Sequence, residues 1–168
     1  MSISFDYLDE DEFNPLDRVE DVLSSHNWIF ERVTDEEIMV QVKGKHCDYN
    51  LYFIWQHDFN ALQFCAQYNF EINPHQWNKA AAIVMEINEK LWMGHFEIPA
   101  KSKIPCFRQT CLYRGVQHAY GAPNLEDLID IAMAQCEKYY AAFHLLSHAN
   151  DAQEDSIVLA LMDTAGES

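Results

Sequence analysis

Between residues 28 and 72, four strand-like segments follow one another with only short polar turns between them. No other feature constrains the fold as much. The segments are residues 28–33, 38–43, 47–56 and 61–72, separated by Thr34-Asp35-Glu36-Glu37, Lys43-Gly44-Lys45 and Asp58-Phe59-Asn60. Parallel neighbours need a crossover of a dozen or more residues, so turns this short impose an antiparallel meander. In the last segment Leu62, Phe64, Ala66, Tyr68 and Phe70 alternate with Gln63, Cys65, Gln67, Asn69 and Glu71, which predicts one buried and one wetter face. The segment 49–55 is apolar on both faces, as a central or doubly covered strand is. Its second face carries Tyr52 and Ile54, and a helix, a second subunit or a partner has to cover them.

Helices are marked by cap-plus-proline signals. Asn14-Pro15 opens a helix over 15–26, with Leu16, Val19, Val22 and Leu23 at helical spacing. Asn73-Pro74 opens a second, running to about residue 93, whose predicted stripe is Trp77, Ala80, Ala81, Val84, Ile87, Asn88 and Leu91, with Gly94 as its stop. Strands are expected at 95–99 and 106–115. After a loop holding Gly121 and Pro123, Asn124 is placed to cap a third helix with a wide apolar face, Leu125 and Leu128 to Phe143. Asp151-x-x-Glu154 reads as a capping box before a last segment, 151–165. The expected organisation is an acidic N-terminal tail, 1–13, and one domain, 14–168. Its fold class is α+β, an antiparallel sheet packed against helices. Trp77, Val84, Ile87, Leu128, Phe64 and Phe70 are expected in the core.

Charge and chemistry narrow the function. The 168 residues carry 27 acidic against 11 basic side chains, a formal charge of −16, with no Lys/Arg cluster to displace counterions from phosphates. Nucleic acid is therefore not an expected partner, and no apolar run approaches the ~18 residues that cross a bilayer, so neither is a membrane. The five cysteines form no Cys-x-x-Cys pair and sit in apolar runs, which points to reduced thiols and a cytoplasmic protein.

Gly94-His95-Phe96 reads as a helix stop and strand start, with His95 hydrogen-bonded rather than catalytic. His144 and His148, four apart, lack a third metal ligand and read as helix-end histidines. Cys111 alternates with Phe107 and Tyr113, away from Arg108 and Arg114, as an inert core thiol. No phosphate loop, dinucleotide glycine pattern or nucleophile elbow is present, and no cofactor is expected.

Several phrases carry a family likeness: Asn14-Pro15-Leu16-Asp17, Trp28-x-Phe30-Glu31-Arg32, Cys47-Asp48-Tyr49, Asn88-Glu89-Lys90-Leu91-Trp92-Met93-Gly94-His95-Phe96, and Glu137-x-Tyr139-Tyr140-x-x-Phe143. With the order of elements they make the chain, from Asn14 to the C-terminus, resemble the YbjN-domain family, described as bacterial sensory transduction regulators. The resemblance implies a type III secretion chaperone-like fold and a protein that holds another polypeptide, with no catalytic residues to carry over.

The expected function is thus a non-catalytic protein-binding module, chaperone-like or a regulatory adaptor of a bacterial pathway. Its protein partner is of unknown identity, and the chain is expected to form a homodimer. The alternative is a small-molecule sensor or enzyme with a pocket near His95 and the strand tyrosines. The candidate partner or dimer surface comprises Tyr52 and Ile54 together with Ile157, Val158, Leu161 and Met162. The run 157–162 is apolar at every position, so ~100° steps carry apolar groups around most of a helix circumference.

Overall fold

In the computed structural model the described residues are 14–113 and 122–148. The acidic tail, residues 114–121, and the segment 151–165 with Ile157, Val158, Leu161 and Met162 lie outside them. The order is α1 (Leu16–Ser25), β1 (Phe30–Thr34), β2 (Glu37–Lys43), β3 (Asp48–Gln56), β4 (Ala61–Gln67), α2 (Trp77–Lys90), β5 (His95–Glu97), β6 (Cys106–Leu112) and α3 (Ala122–His148). The fold is α+β: the six strands form one antiparallel sheet in the order β1-β2-β3-β4-β6-β5.

The two Asn-Pro signals have physical counterparts, with small displacements. Asn14 Oδ1 accepts the Leu16 N–H at 2.9 Å, and its amide reaches across to the Asp35 carbonyl at 2.8 Å. Asn73 Oδ1 accepts from His75, but it opens a 3-10 turn over Pro74–Gln76, and the α-helix proper begins at Trp77. Asn124, expected as the cap of α3, lies inside it, because the helix already begins at Ala122. Pro123 then falls in the first turn, where a missing N–H costs nothing.

Strand β4 ends at Gln67 and not at 72. The following stretch stays pinned by single bonds, Tyr68 N–H to the Pro105 carbonyl and Ile72 N–H to that of Lys103.

The core lies between one sheet face and the helices. Ile38, Val40, Tyr49, Leu51, Phe53, Leu62, Phe64, Ala66 and Phe107 are buried on the sheet side. Leu16, Val19, Val22 and Leu23 of α1 meet them, as do Leu128, Ile129, Ala132, Cys136 and Phe143 of α3. Tyr68 is the centre of an aromatic cluster, with ring centroids 5.2 Å from Phe143, 5.3 Å from Phe70 and 5.4 Å from Tyr49. Its hydroxyl donates to the Cys136 carbonyl at 2.6 Å, so the buried O–H is satisfied and holds α3 to the sheet.

The phase of α2 differs from the expected stripe. Its buried line is Ala80, Ile83 and Ile87, with Trp77 and Val84 half-buried and Ala81 exposed. The helix is apolar over a wider arc than the sheet edge can cover, and the denser side of that arc faces outward. Phe70 is likewise only half-buried, packing edge-on against Tyr140 and His144. Phe64, Ile87 and Leu128 are buried as expected.

Phe64 is fully buried in the central sheet, with its ring 5.0 Å from that of Phe53. Phe64→Ala should lower unfolding free energy by roughly 3–5 kcal/mol, read from urea denaturation, through the transfer and cavity terms together.

Candidate partner-binding surface

Helices α1 and α3 pack on the Phe53–Phe64 face, and among the described residues no helix covers the opposite one. The ladders place side chains of that open face in rows, because directly opposed residues in antiparallel strands share a face. One row runs Glu31, Met39, Tyr52, Cys65, Arg108, His95 across all six strands. The next runs Glu37, Ile54, Gln63, Thr110. Tyr52 and Ile54 are both half-buried, and no described helix lies over them. Partial burial is the main cause that raises the Tyr52 phenol above its ordinary value, with Cys65 and Glu37 adding to it, so the hydroxyl stays neutral.

The open face has two halves. Met39, Tyr52 and Ile54 form an apolar patch over β2 and β3, with the carboxylates of Glu31 and Glu37 in the same rows. Over β4, β6 and β5 lies a polar network. Arg108 Nη1 donates to Glu97 Oε1 at 3.1 Å and Nη2 to Gln63 Oε1 at 2.9 Å, and Gln63 Nε2 donates to Gln56 at 3.2 Å. His95, exposed at the start of β5, sits with Nε2 3.3 Å from Glu97 Oε2.

The sequence ties no carboxylate to His95, yet the strand period returns Glu97 to its side two residues on. Cys106 hydrogen-bonds to Cys65, which lowers the Cys65 thiol and, with burial, pushes the Cys106 thiol well up. The two strand tyrosines do not converge on His95. Tyr49 is fully buried under α3, while Tyr52 lies on the open face.

Other residues singled out by pattern fall elsewhere. Cys111 lies on the helix side opposite Leu62, and burial raises its thiol. His144 and His148 have ring centroids 4.3 Å apart at a near-right angle. His144 also stacks on Tyr140, which stacks on His46, so the rings form a column beside an open cleft of about 570 Å³. Among the described residues no group of three or more His, Cys, Asp or Glu side chains could hold a metal ion. No helix among them is long and apolar enough to cross a membrane.

Two surface residues escaped sequence reasoning. Met39 joins the patch only through its register with Tyr52. Trp92, read with the core aromatics, is 77% exposed just after α2. The available signal was its helical phase, which falls outside the stripe ending at Leu91.

With this geometry in hand, comparison with known proteins is informative. A family model named YbjN, "Putative bacterial sensory transduction regulator", matches residues 15–145, most of the chain. The chain belongs to the YbjN family. The match stops short of 146–168. One solved structure, "Crystal structure of YbjN, a putative transcription regulator from E. coli", agrees at a TM-score of 0.53 with 13% identity, over 73% of this chain and 86% of that one. At that identity the likeness speaks for the fold alone. None of the curated proteins matches the sequence.

The YbjN-like phrase 88–96 is a structural device. The Asn88 side chain accepts the Phe96 N–H at 2.7 Å and donates to the Phe96 carbonyl at 3.0 Å, occupying the outward backbone groups of the edge strand β5. Gly94 adopts φ +67°, and a Cβ there would collide with the Phe107 ring. It therefore serves the close return into β5, four residues past the end of α2, and not the helix stop itself.

Gly94→Ala should cost at least about 1–2 kcal/mol from the left-handed backbone alone, measurable as a lowered urea midpoint. The His144 pKa is lowered, mainly by burial and then by His148. A histidine depressed in the folded state contributes stability above its unfolded pKa of ~6.5, and that contribution is lost as pH falls through the lower folded value. Denaturation midpoints measured from pH 7.5 to 5 should fall less steeply for His144→Gln than for the parent.

Proposed function

We propose that this chain is a non-catalytic protein-binding module, a chaperone-like or regulatory adaptor of a bacterial cytoplasmic pathway. In this reading its open sheet face receives a segment of another protein. One observation carries the reading: a six-stranded sheet with its described helices on one face and, on the other, the patch Met39, Tyr52 and Ile54, over which no described helix lies. Aromatic and Met side chains are enriched at protein interfaces, where a rigid ring supplies contact area at low entropic cost. Glu31 and Glu37 beside the patch, in a chain of charge −16, favour a partner that presents apolar side chains with basic neighbours. The family's description as a sensory transduction regulator supports a regulatory setting.

The alternative, a sensor or enzyme pocket at His95 and the strand tyrosines, is the weaker reading. Tyr49 and Tyr52 leave opposite faces of β3, and Arg108, Glu97 and His95 bond one another at the sheet surface with neither tyrosine beside His95.

The double variant Tyr52→Lys, Ile54→Lys tests the reading, since both side chains already contact solvent. Partners captured by the parent chain from its native cytoplasm would be identified by mass spectrometry and their affinity measured for both forms. The variant should keep the parent's circular dichroism and bind at least about tenfold more weakly, ~1.4 kcal/mol. Unchanged affinity for the same partner would remove the open face from the reading. Sedimentation of both forms shows whether a second copy, as in the expected homodimer, occupies that face instead.

A further inference from the structure

Helix α2 carries more apolar surface than its own sheet uses. Trp77, Ala81 and Val84 stand about a quarter-turn from the buried line Ala80, Ile83 and Ile87. With Phe96, Glu97 and Ile98 they line a groove of about 260 Å³ at the sheet edge. Trp77, Val84 and Ile98 are half-buried and Ala81 is exposed, while Met85, one turn beyond Ala81, is 74% exposed. Asn88 already takes the Phe96 N–H and carbonyl, so an occupant cannot enter as a further strand at that residue. It has to bring side chains.

The chain itself supplies a candidate at the right place. Helix α3 ends at His148, and the Leu146 carbonyl accepts the Asn73 N–H at 3.1 Å, which ties the end of α3 to a point four residues before Trp77. Four residues span at most ~14 Å, whereas residues 149–156 reach up to ~26–29 Å when extended. Beyond them comes the uninterrupted apolar run Ile157, Val158, Leu159, Ala160, Leu161, Met162. The groove runs from Trp77 to Val84, ~10 Å along the helix axis, and six helical residues measure ~9 Å. Length, reach and apolar character agree.

We propose that residues 157–162 seat in this groove of their own chain, covering the outer face of α2. The sequence alone reads this run as a dimer or partner surface, with a strand or a place in the core of its own chain as the alternative; the position of the α3 end favours a seat on its own chain. The groove shares no residue with the Tyr52–Ile54 patch, so the two can be tested separately.

Methyl-labelled full-length protein decides the matter. Nuclear Overhauser contacts are expected between the Ile157 or Leu161 methyls and those of Val84 and Ile98. A sample mixing two differently labelled pools should show none between chains. Ala81→Glu changes an exposed helix position and leaves the core intact. It should abolish these contacts, move the 157–162 methyls to random-coil shifts and speed amide exchange there at least about tenfold. Leu159→Asp with Leu161→Asp, a change that alters none of the described residues, should do the same from the other side. The proposal is overturned if the parent's 157–162 methyls already show random-coil shifts, if the contacts arise only between chains, or if Ala81→Glu leaves them unchanged.

Discussion

The hydrogen bond from the Tyr68 hydroxyl to the Cys136 carbonyl joins the two layers of the fold where they are driest. Tyr68 follows β4 directly and is fully buried, and its ring meets aromatic residues of β3, β5 and α3. A phenol in that position has to be both packed and satisfied, and the helix carbonyl is the acceptor within reach. Burial accordingly raises its pKa well above the ordinary value, so it remains a neutral donor. The placement of α3 over the sheet, the approach of Phe143 to Phe96, and the half-exposure of Phe70 beside Tyr140 all follow from where that ring sits.

Committing the helices to one side has a cost that the other side must manage. Alternation along β2, β3 and β4 sends the largest apolar side chains toward α1 and α3 and leaves Met39, Tyr52 and Ile54 behind. In the polar half of the open face Arg108 bonds Glu97 and Gln63, and His95 meets Glu97, while the other half offers apolar contact. The two sheet edges are also unequal. Asn88 blocks β5 with a side chain, while β1 is held to α1 by Arg32 reaching Asp17 and Glu20 at 2.9 Å each. Neither edge is left flat and unmodified, which limits unselective pairing with other strands.

The elements were largely legible in the sequence, because their causes are local. Short turns dictate the meander, Asn-Pro pairs mark two helices, and alternation alone assigns Phe64 to the core. The departures have equally physical causes. Tyr68 and Ile72 continue the pattern of β4 but lose its ladder, since their partners lie in the 103–105 loop. The face of α2 was misphased because the helix is apolar over a wide arc, and periodicity cannot tell which part of such an arc meets the sheet. Of the candidate surface, Tyr52 and Ile54 were recognisable as needing cover; Met39 and the Glu97–His95 pair were not, and neither was the exposure of Trp92 beside α2.

The sequence by itself determined the order of elements, the antiparallel pairing, the buried face of β4 and the acidic character that any partner meets. These depend on neighbours within a few residues or on total charge, and both are written directly in the chain. Tertiary structure alone decided which face of the sheet the helices occupy, which side of α2 is buried, and that the end of α3 lies beside the start of α2. Those outcomes depend on contacts between residues distant in sequence, such as Tyr68 with Cys136 and Asn73 with Leu146, whose pairing no local pattern encodes.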